Sequence, residues 1–598
     1  MAPMIDAATQ PIDLRPHASL VVAVTGYRDL GIYPAAVKAL AATLTRVFAD
    51  LRDALADAGA NAAGVLSPAR PMLRTICTGT EGADALAVDA ARAAGSTITR
   101  VLPFGTEGSN PLPASTHAIG GPTDTWLILP GAPEEGARAY ERANEIMLAN
   151  SDLVVAVWDQ KRPGQRGGTG EVVQSAITRG IPVIVVAPAL PTPMLLTAPG
   201  NGELAWPIAS DLPLKPLPDD LRDLVARIVL PPAGEDTRRA LLDLINEPAH
   251  LRSARFEYQL LLEIFGVAPR KRAAATGEAP PAPLAEPVES LGREMTATLQ
   301  RIDELAGHYG RLYRSSTTTQ ILFNIIAAFL SAMALIYLPT LAGATLVVSV
   351  AANTLVLFDT KTRAAQRWHE RWLDYRVIAE RLRCLQFLQP LGLGLSGTEQ
   401  AASRRHLSWV DWYVRRLQRA LAPPDGPITE ADLTRLIRQI AEGEVPGQIK
   451  YHDGAFRQLG TLDRRLAVAA RVSLNAAIVG AVAFMVSAAL QGGGEYVAWH
   501  SLGWVMIFVL PAAAAAFTAM RAGADLALLA ERSAATAAAL TELQGVIRAT
   551  PMTYDRAAVA ATRVAGLMGA ELSEWRFVFE SRRTRTRRAN AAAERSPR

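Results

Sequence analysis

Between residues 19 and 190 the chain alternates short apolar runs with longer stretches of helical periodicity. Leu20-Val21-Val22-Ala23-Val24, Arg74-Thr75-Ile76-Cys77, Trp126-Leu127-Ile128-Leu129, Asp152 to Val157 and Ile181 to Ala187 read as strands, and Ala-rich helices separate them. Strands without polar alternation are covered on both faces, so the pattern predicts a parallel sheet between helices, a Rossmann-like α/β domain over 19–190 behind an N-terminal extension (1–18). A Pro-rich connection and a helical piece fill 191–266, and the Ala/Pro-rich stretch 267–290 reads as an extended linker.

Beyond the linker the pattern changes. From Ser315 to Phe358 there is no Asp, Glu, Lys, Arg or His, which is room for two helical spans of about 20 residues each. Pro339 near the middle marks a hairpin tip, giving spans of about 317–337 and 341–358. A second uncharged stretch, Val472 to Gly494, and a third, Tyr496 to Met520, interrupted only by His500, give spans of about 472–490 and 501–520 around the tip Gln491-Gly492-Gly493-Gly494-Glu495. The expectation is an all-α membrane domain with four transmembrane helices in two hairpins. Arg311, Arg314, Lys361, Arg363, Arg464, Arg465, Arg471 and Arg521 flank the hairpins and neither tip carries Lys or Arg, so both termini and the central segment are expected on the cytoplasmic side of an inner membrane.

The layout is duplicated. An amphipathic helix enters each hairpin (295–314, then 456–471) and a charged helix leaves it (362–388, then 521–548), giving modules over 291–400 and 456–570 around a helical cytosolic segment, 401–455. Thr429-Glu430-Ala431-Asp432 in that segment has the form of a helix start with a capping acid at its third position.

Composition sharpens this picture. The 598 residues allow several domains, and with half of them apolar and 20% charged the mean hydropathy is +0.14, high for a chain that covers itself with charge. The net charge of +4 excludes a protein built to coat nucleic acid; the excess is local, in a basic tail (571–598) containing Arg582, Arg583, Arg585, Arg587 and Arg588. That tail is placed to lie on anionic lipid. Cys77 and Cys384 supply neither a disulfide framework nor a metal site, and the N-terminus lacks the basic and apolar regions of a secretory signal. No metal site is expected.

Candidate chemistry lies in the α/β domain, where three glycine turns each follow a predicted strand. They are Gly26-Tyr27-Arg28, Gly79-Thr80-Glu81-Gly82-Ala83-Asp84 and Gly167-Gly168-Thr169-Gly170-Glu171. In open α/β sheets ligands bind at the carboxyl ends of the strands, glycine allows close backbone approach, and helix N-termini suit phosphate. Arg28 can meet an anion.

These residues, together with Tyr140-Glu141-Arg142 and Ser151-Asp152, resemble the SLOG superfamily, which includes cytokinin-activating phosphoribohydrolases, the DNA-processing protein A fold and the N-terminal sensor of melastatin-type channels. The resemblance covers about 19–190 and implies a nucleotide-derived ligand, NAD- or ADP-ribose-like or a cyclic nucleotide, bound at Gly26, Tyr27, Arg28, Gly79, Thr80, Glu81, Gly82, Asp84, Arg142 and Gly167 to Glu171, with no cofactor required. In the phosphoribohydrolases a Glu-Arg pair precedes Pro-Gly-Gly-x-Gly-Thr-x-x-Glu. Glu141-Arg142 matches that pair, but Glu171 stands where the family has Thr and Gln174 where it has the catalytic Glu. Glutamine cannot serve as a general acid or base, which favours binding without cleavage. The alternative, a membrane-anchored nucleotide N-glycosidase, rests on Arg142 and Glu171.

The second half resembles the SLATT class, two-helix membrane modules found beside such sensors in bacterial conflict systems. The match rests on Ile302 to Ala306, Tyr309, Tyr313-Arg314, Trp372 to Arg376, Ala379 to Arg383 and Gln448 to His452. It implies a pore-forming or membrane-disrupting effector in antiphage defence, with the bilayer, the nucleotide ligand and further copies of the chain as partners. Small residues such as Gly480 and Ala512 to Ala516 favour close helix packing, and Asn324, Asn353 and Asn475 are the polar candidates for lining a pore or tying helices together. The absence of Asp, Glu, Lys and Arg from the spans disfavours an ion-coupled transporter. A third possibility is a scaffold whose hairpins only anchor it.

Overall fold

The computed structural model describes residues 12–29, 34–62, 64–79, 81–105, 124–160, 166–187, 192–198, 208–217, 221–251, 255–267, 286–337, isolated positions in 343–362, and then 365–395, 408–490, 497–523, 525–551 and 553–570. Of the expected linker 267–290 only Val267 and the helical residues from Glu286 on are described; 268–285, both hairpin tips and the basic tail lie outside the described residues.

The strands expected from the apolar runs are present as β1 (Ser19–Gly26), β2 (Met72–Cys77), β4 (Thr125–Ile128), β5 (Leu153–Val157) and β6 (Val183–Val186). Between β2 and β4 a further strand, β3 (Thr97–Leu102), pairs with both. Its sequence, TITRVL, breaks the apolar run with two threonines and an arginine that are nonetheless largely sheet-paired and buried at Thr99 and Arg100. Thr99 and Thr125 share a hydroxyl hydrogen bond of 2.9 Å, which satisfies both.

The sheet is mixed, not wholly parallel. The Pro-rich connection contributes β7 (Pro193–Leu196), antiparallel to β6, and β8 (Lys215–Pro216), antiparallel to β7. Proline is tolerated there because these strands start or close an edge. At the other edge β9 (Gly426–Pro427) pairs parallel with β4, so the segment expected to be wholly helical completes the sheet. The strand order is β8-β7-β6-β5-β1-β2-β3-β4-β9.

Helices cover both faces. Those of the N-terminal domain are α1 (Pro34–Asn61), α2 (Gly82–Ala93), α3 (Ala137–Ala149) and α4 (Thr169–Thr178), followed by α5 (Arg222–Val229), α6 (Glu235–Ile245) and α7 (Glu257–Ile264). The remaining chain is helical apart from β9: α8 (Glu286–Tyr337), α9 (Trp368–Leu388), α10 (Trp409–Ala420), α11 (Glu430–Arg438), a π turn (Gln439–Glu444), α12 (Val445–Leu490), α13 (Val497–Gly523), α14 (Leu526–Ala549) and α15 (554–570). The Thr429 side chain accepts from the Asp432 amide and the Asp432 carboxylate from the Thr429 amide, the expected box at the start of α11.

The two halves share their cores. One cluster runs from Leu20 and Phe48 through Ile302 and Tyr375 to Trp412, and a second from Val154 and Val172 through Phe387 to Leu540 and Val564. A deeply buried polar join lies at the amino end of β5. Asp152, with a side chain 1% exposed, receives Arg416 at 2.8 Å and Arg419 at 3.0 Å from α10. Arg419 also donates to the Ala149 and Ser151 carbonyls. Arg74 in turn donates to the Arg419, Ala420 and Leu421 carbonyls, capping the end of α10. Burial raises the Asp152 carboxyl, but the two guanidiniums outweigh it and hold the group below the usual carboxylate range.

A second polar knot ties α6 to α8 and α9. Glu247, whose side chain is fully buried, accepts from the hydroxyls of Tyr309 (2.8 Å) and Tyr375 (2.7 Å) and from Arg371 (3.1 Å), which also pairs with Asp243 at 2.7 Å. Above it Trp372 stacks on Tyr313, and the Arg314 guanidinium lies 5.5 Å from the Tyr258 ring and 5.6 Å from that of Trp372.

Among the described residues two helical stretches, Glu430–Ser487 and Met506–Ala549, are long and apolar enough to cross a membrane by length and composition. Their large side chains are exposed where the chain is least charged, at Val472, Ile478, Val479, Val482 and Met485 on α12 and Phe508 on α13. The expected span 317–337 is the last part of α8, while 341–358 has only isolated described positions. Gly480 faces Met506 so closely that a Cβ would stand 2.6 Å from its sulfur, the close approach expected of small residues. Pro511 sits inside α13. The helix entering the second module is no separate element but the first half of α12, and both leaving helices begin after a left-handed residue, Arg367 (φ 54°) before α9 and Asp525 (φ 47°) before α14. The repeat of arrangement therefore extends to a break at the same stage of each module.

Candidate ligand crevice at the switch point

After β1 the chain builds β2, β3 and β4 to one side, and then β5 returns to the other side of β1. The strand order reverses between β1 and β5, which is where open α/β sheets leave a crevice at their carboxyl edge. All three glycine turns meet there.

Each glycine is set by what a side chain would strike. At Gly26 a Cβ would stand 2.5 Å from that of Ala83 and 3.0 Å from that of Val157, so only a bare backbone lets α2 approach the end of β1. Gly82 (φ +62°) presses on the Tyr27 and Arg28 carbonyls, at 2.4 and 2.2 Å from its Cβ position, and the next amide, of Ala83, donates to Tyr27 at 2.9 Å. Gly79 lies on the Asp84 carboxylate, and Gly167 (φ +77°) on Tyr140 and the Ala137 carbonyl. Gly168 is the residue before α4, Thr169 and Gly170 are its first two, and Glu81 precedes α2 without capping it. Thr80 lies outside the described residues.

Polar side chains lock the turns together. The Tyr27 hydroxyl donates to Asp159 at 2.5 Å across the switch point, and burial, followed by that carboxylate, pushes the phenol up to about 12. Asn144 of α3 accepts from Thr78 (3.2 Å) and donates to the Gly167 carbonyl (3.1 Å), bridging the second and third turns. A lone asparagine within a helix carries no pattern, so the sequence offered no signal for it. Arg28 is exposed, with its guanidinium 4.7 Å from the centre of the Tyr140 ring.

Both helix starts already hold a carboxylate. Glu171 accepts the Gly167 amide at 2.6 Å, closing its own turn. Asp84 is 7% exposed, takes a hydrogen bond from the Gly79 backbone, and leaves Oδ1 without a hydrogen-bond partner. Burial raises its carboxyl to about 7, against the opposing pull of Arg100, the Gly79 amide and Arg28. Arg100 is itself buried, donates to the Gly79 carbonyl at 3.0 Å and lies 5.2 Å from the centre of the Trp126 ring. Burial pushes the neighbouring Cys77 thiol up to about 12.

Arg142 is engaged elsewhere. It pairs with Glu135 at 2.7 Å and with Asp555 of α15 at 3.3 Å, and Arg138 joins the same Asp555 at 2.6 Å. Its partner in sequence, Glu141, pairs with Arg166 at 2.6 Å. Gln174 accepts from the Ala209 amide at 2.8 Å and donates to Thr178, a structural assignment. An apolar cleft of about 230 Å³ between α14 and α15 abuts Asp555 and is distinct from the crevice. Of the polar candidates in the helices, Asn475 is exposed on α12, Asn324 lies within α8, and Asn353 is outside the described residues.

The chain matches no family model, no curated protein and no solved structure. What it can be said to be is an N-terminal α/β domain of Rossmann-like order joined through shared cores to a helical part with two apolar candidate spans.

Proposed function

We propose that the protein is a multi-pass membrane effector, with four spans in two hairpins and a cytoplasmic α/β domain that binds a nucleotide-derived ligand. NAD- or ADP-ribose-like compounds and cyclic nucleotides are the classes that the SLOG resemblance implies. Binding at the crevice shifts the packing of the helical part, and the hairpins of several copies assemble or open in response. The SLATT resemblance gives this output its form, a pore or a breach of the membrane in conflict defence.

The observation that carries the reading is the meeting of three glycine turns at the β1/β5 switch point, in a domain whose core continues into the apolar helices. The helix α3, which meets the crevice through Tyr140 and Asn144, is tied to α15 by the Arg142–Asp555 pair. The shift can be no larger than the ligand's difference in affinity for the two arrangements. Hydrolysis has less support, because both residues an N-glycosidase would use are held, Arg142 by Glu135 and Asp555 and Glu171 by its own turn.

The test is thermal unfolding of the full-length protein against NAD, ADP-ribose, nucleoside phosphates and cyclic nucleotides. A ligand of this site raises the unfolding temperature with mass-action dependence on its concentration, and does so much less for Gly82→Val. Stabilisation by none of these classes, or equal stabilisation of the variant, removes the crevice from the account.

A further inference from the structure

The segment before the linker contains a short helix with two apolar faces, and only one of them is packed. Leu261 and Leu262 of α7 are buried in a small cluster with Leu462 and Leu466 of α12, Met520 of α13 and Leu526 of α14. The helix crosses between neighbours. Near its start the Tyr258 amide donates to Ser315 of α8 at 3.4 Å. At its end Phe265 meets Phe517 of α13 edge to face at 5.7 Å, and the Phe265 carbonyl accepts from Arg465 of α12. Gly266 (φ +57°) then turns the chain so that Val267 re-enters the cluster.

The level of these contacts is defined by sequence. Ser315 is the first residue of the uncharged run on α8, and Phe517 and Met520 belong to the last turn of the uncharged run on α13. Arg311 and Lys361 flank the uncharged runs of the first module, and Arg464, Arg465 and Arg471 precede that of α12, all of them exposed. The helix therefore lies where the apolar part of the molecule meets its basic collar.

Its other face points outward. Phe256 is 61%, Leu260 39% and Ile264 64% exposed, at a spacing of four that puts them in one stripe. The stripe adjoins the ends of the uncharged runs on α8 and α13, which α7 touches at Ser315 and Phe517. A short helix with one face packed on the ends of the apolar helices and an apolar stripe at their charge boundary can bury that stripe in a lipid interface, with the basic charge supplied by neighbouring helices and not by its own Glu257 and Glu263.

We infer that α7 is a membrane-interface helix, which seats Phe256, Leu260 and Ile264 in the cytoplasmic leaflet at the boundary between headgroups and acyl chains. This rests on the membrane reading above and adds to it a third kind of lipid contact, one made by the segment that joins the α/β domain to the helices. Through α6 and the Glu247 knot, α7 then couples the position of that domain to the leaflet.

Leu260→Cys in the full-length protein tests this at an exposed position, and the native Cys77 and Cys384 are buried away from the label. A fluorophore on that cysteine is read in nanodiscs of mixed neutral and anionic phospholipid carrying a quencher either on the headgroup or deep in the acyl chain. Val479→Cys on α12 reports on the span itself, and Thr45→Cys on α1 is the solvent reference. The expected result is that the label at 260 is quenched several-fold more by the headgroup quencher than the label at 45, and that the label at 479 responds to the deep quencher. A label at 260 that responds to neither, beside a responding 479, overturns the interfacial helix and assigns the stripe to solvent or to a protein partner. A label at 479 that responds to neither overturns the membrane reading and this inference with it.

Discussion

Asp84 is the residue at which the crevice departs most from ordinary packing, because a buried carboxyl oxygen without a partner is destabilising unless something else uses it. Asp84→Asn keeps an acceptor for the Gly79 amide and removes the titrating group. The folded carboxyl titrates at about 7 and an unfolded one near 4, so over that window the folded protein holds a proton that the unfolded chain has released. Wild-type stability therefore falls as pH rises through the window, and the variant escapes the loss. The expected outcome is a variant more stable than wild type by an amount that is small near pH 4 and complete above pH 7, with an upper bound on the order of 4 kcal/mol. Thermal unfolding of both proteins across that range checks it, and a gap that does not widen with pH contradicts the assignment. Gly82→Val acts in the opposite direction. Its Cβ would meet two carbonyls that no rotamer can avoid, at a positive φ, so a loss of about 1–3 kcal/mol is expected together with loss of any ligand-induced shift. At this scale the sequence was informative about glycines, whose spacing after strands is a visible pattern. It was silent about Asn144 and about the Arg142–Asp555 pair, since one amide on a helix and two charges 413 residues apart leave no periodic mark.

Among the elements, α10 carries the most consequence for its length. Twelve residues seal the amino edge of the sheet by burying two guanidiniums against Asp152, while β9, a few residues later, closes the far edge on β4. Removing one partner of such a group leaves charge uncompensated in the interior. Asp152→Ala is expected to lower the stability of the whole chain by about 3–5 kcal/mol, read by thermal or denaturant unfolding; a loss below about 1 kcal/mol would mean that the cluster is no more than a surface pair. The strands that the pattern reveals are mostly apolar runs, with β2 the exception that carries Arg74 and Thr75. β3 was missed because polar residues interrupt its apolar run although its Thr, Ile and Val favour a strand, β7 is hidden by the prolines around it, and β9, two residues long, is held by its pairing with β4.

Over the whole molecule the duplication matters more than any single helix. Both modules pack an incoming helix on a leaving one, and both leaving helices break at a left-handed residue just outside the apolar run. Besides the shared cores and the β4–β9 pairing, polar groups bind the first half of the chain to this assembly at the Asp152 cluster, the Glu247 knot and the Arg142–Asp555 pair. A change in the crevice therefore has a continuous packed route to the helices, which is the physical requirement for coupling. The charge-free runs and their basic flanks made the helical part legible as a candidate for the membrane. That the two halves would share a core was not legible, because the contacts join residues hundreds of positions apart.

The most direct measurement is release of a trapped dye from liposomes holding the purified full-length protein, with the ligand found by thermal unfolding added on the side of the α/β domain. The expected result is release that follows ligand concentration and is absent for Gly82→Val at a temperature where that variant remains folded. Liposomes that stay sealed while the ligand is bound would contradict it, leaving a membrane-anchored binding protein without the effector step.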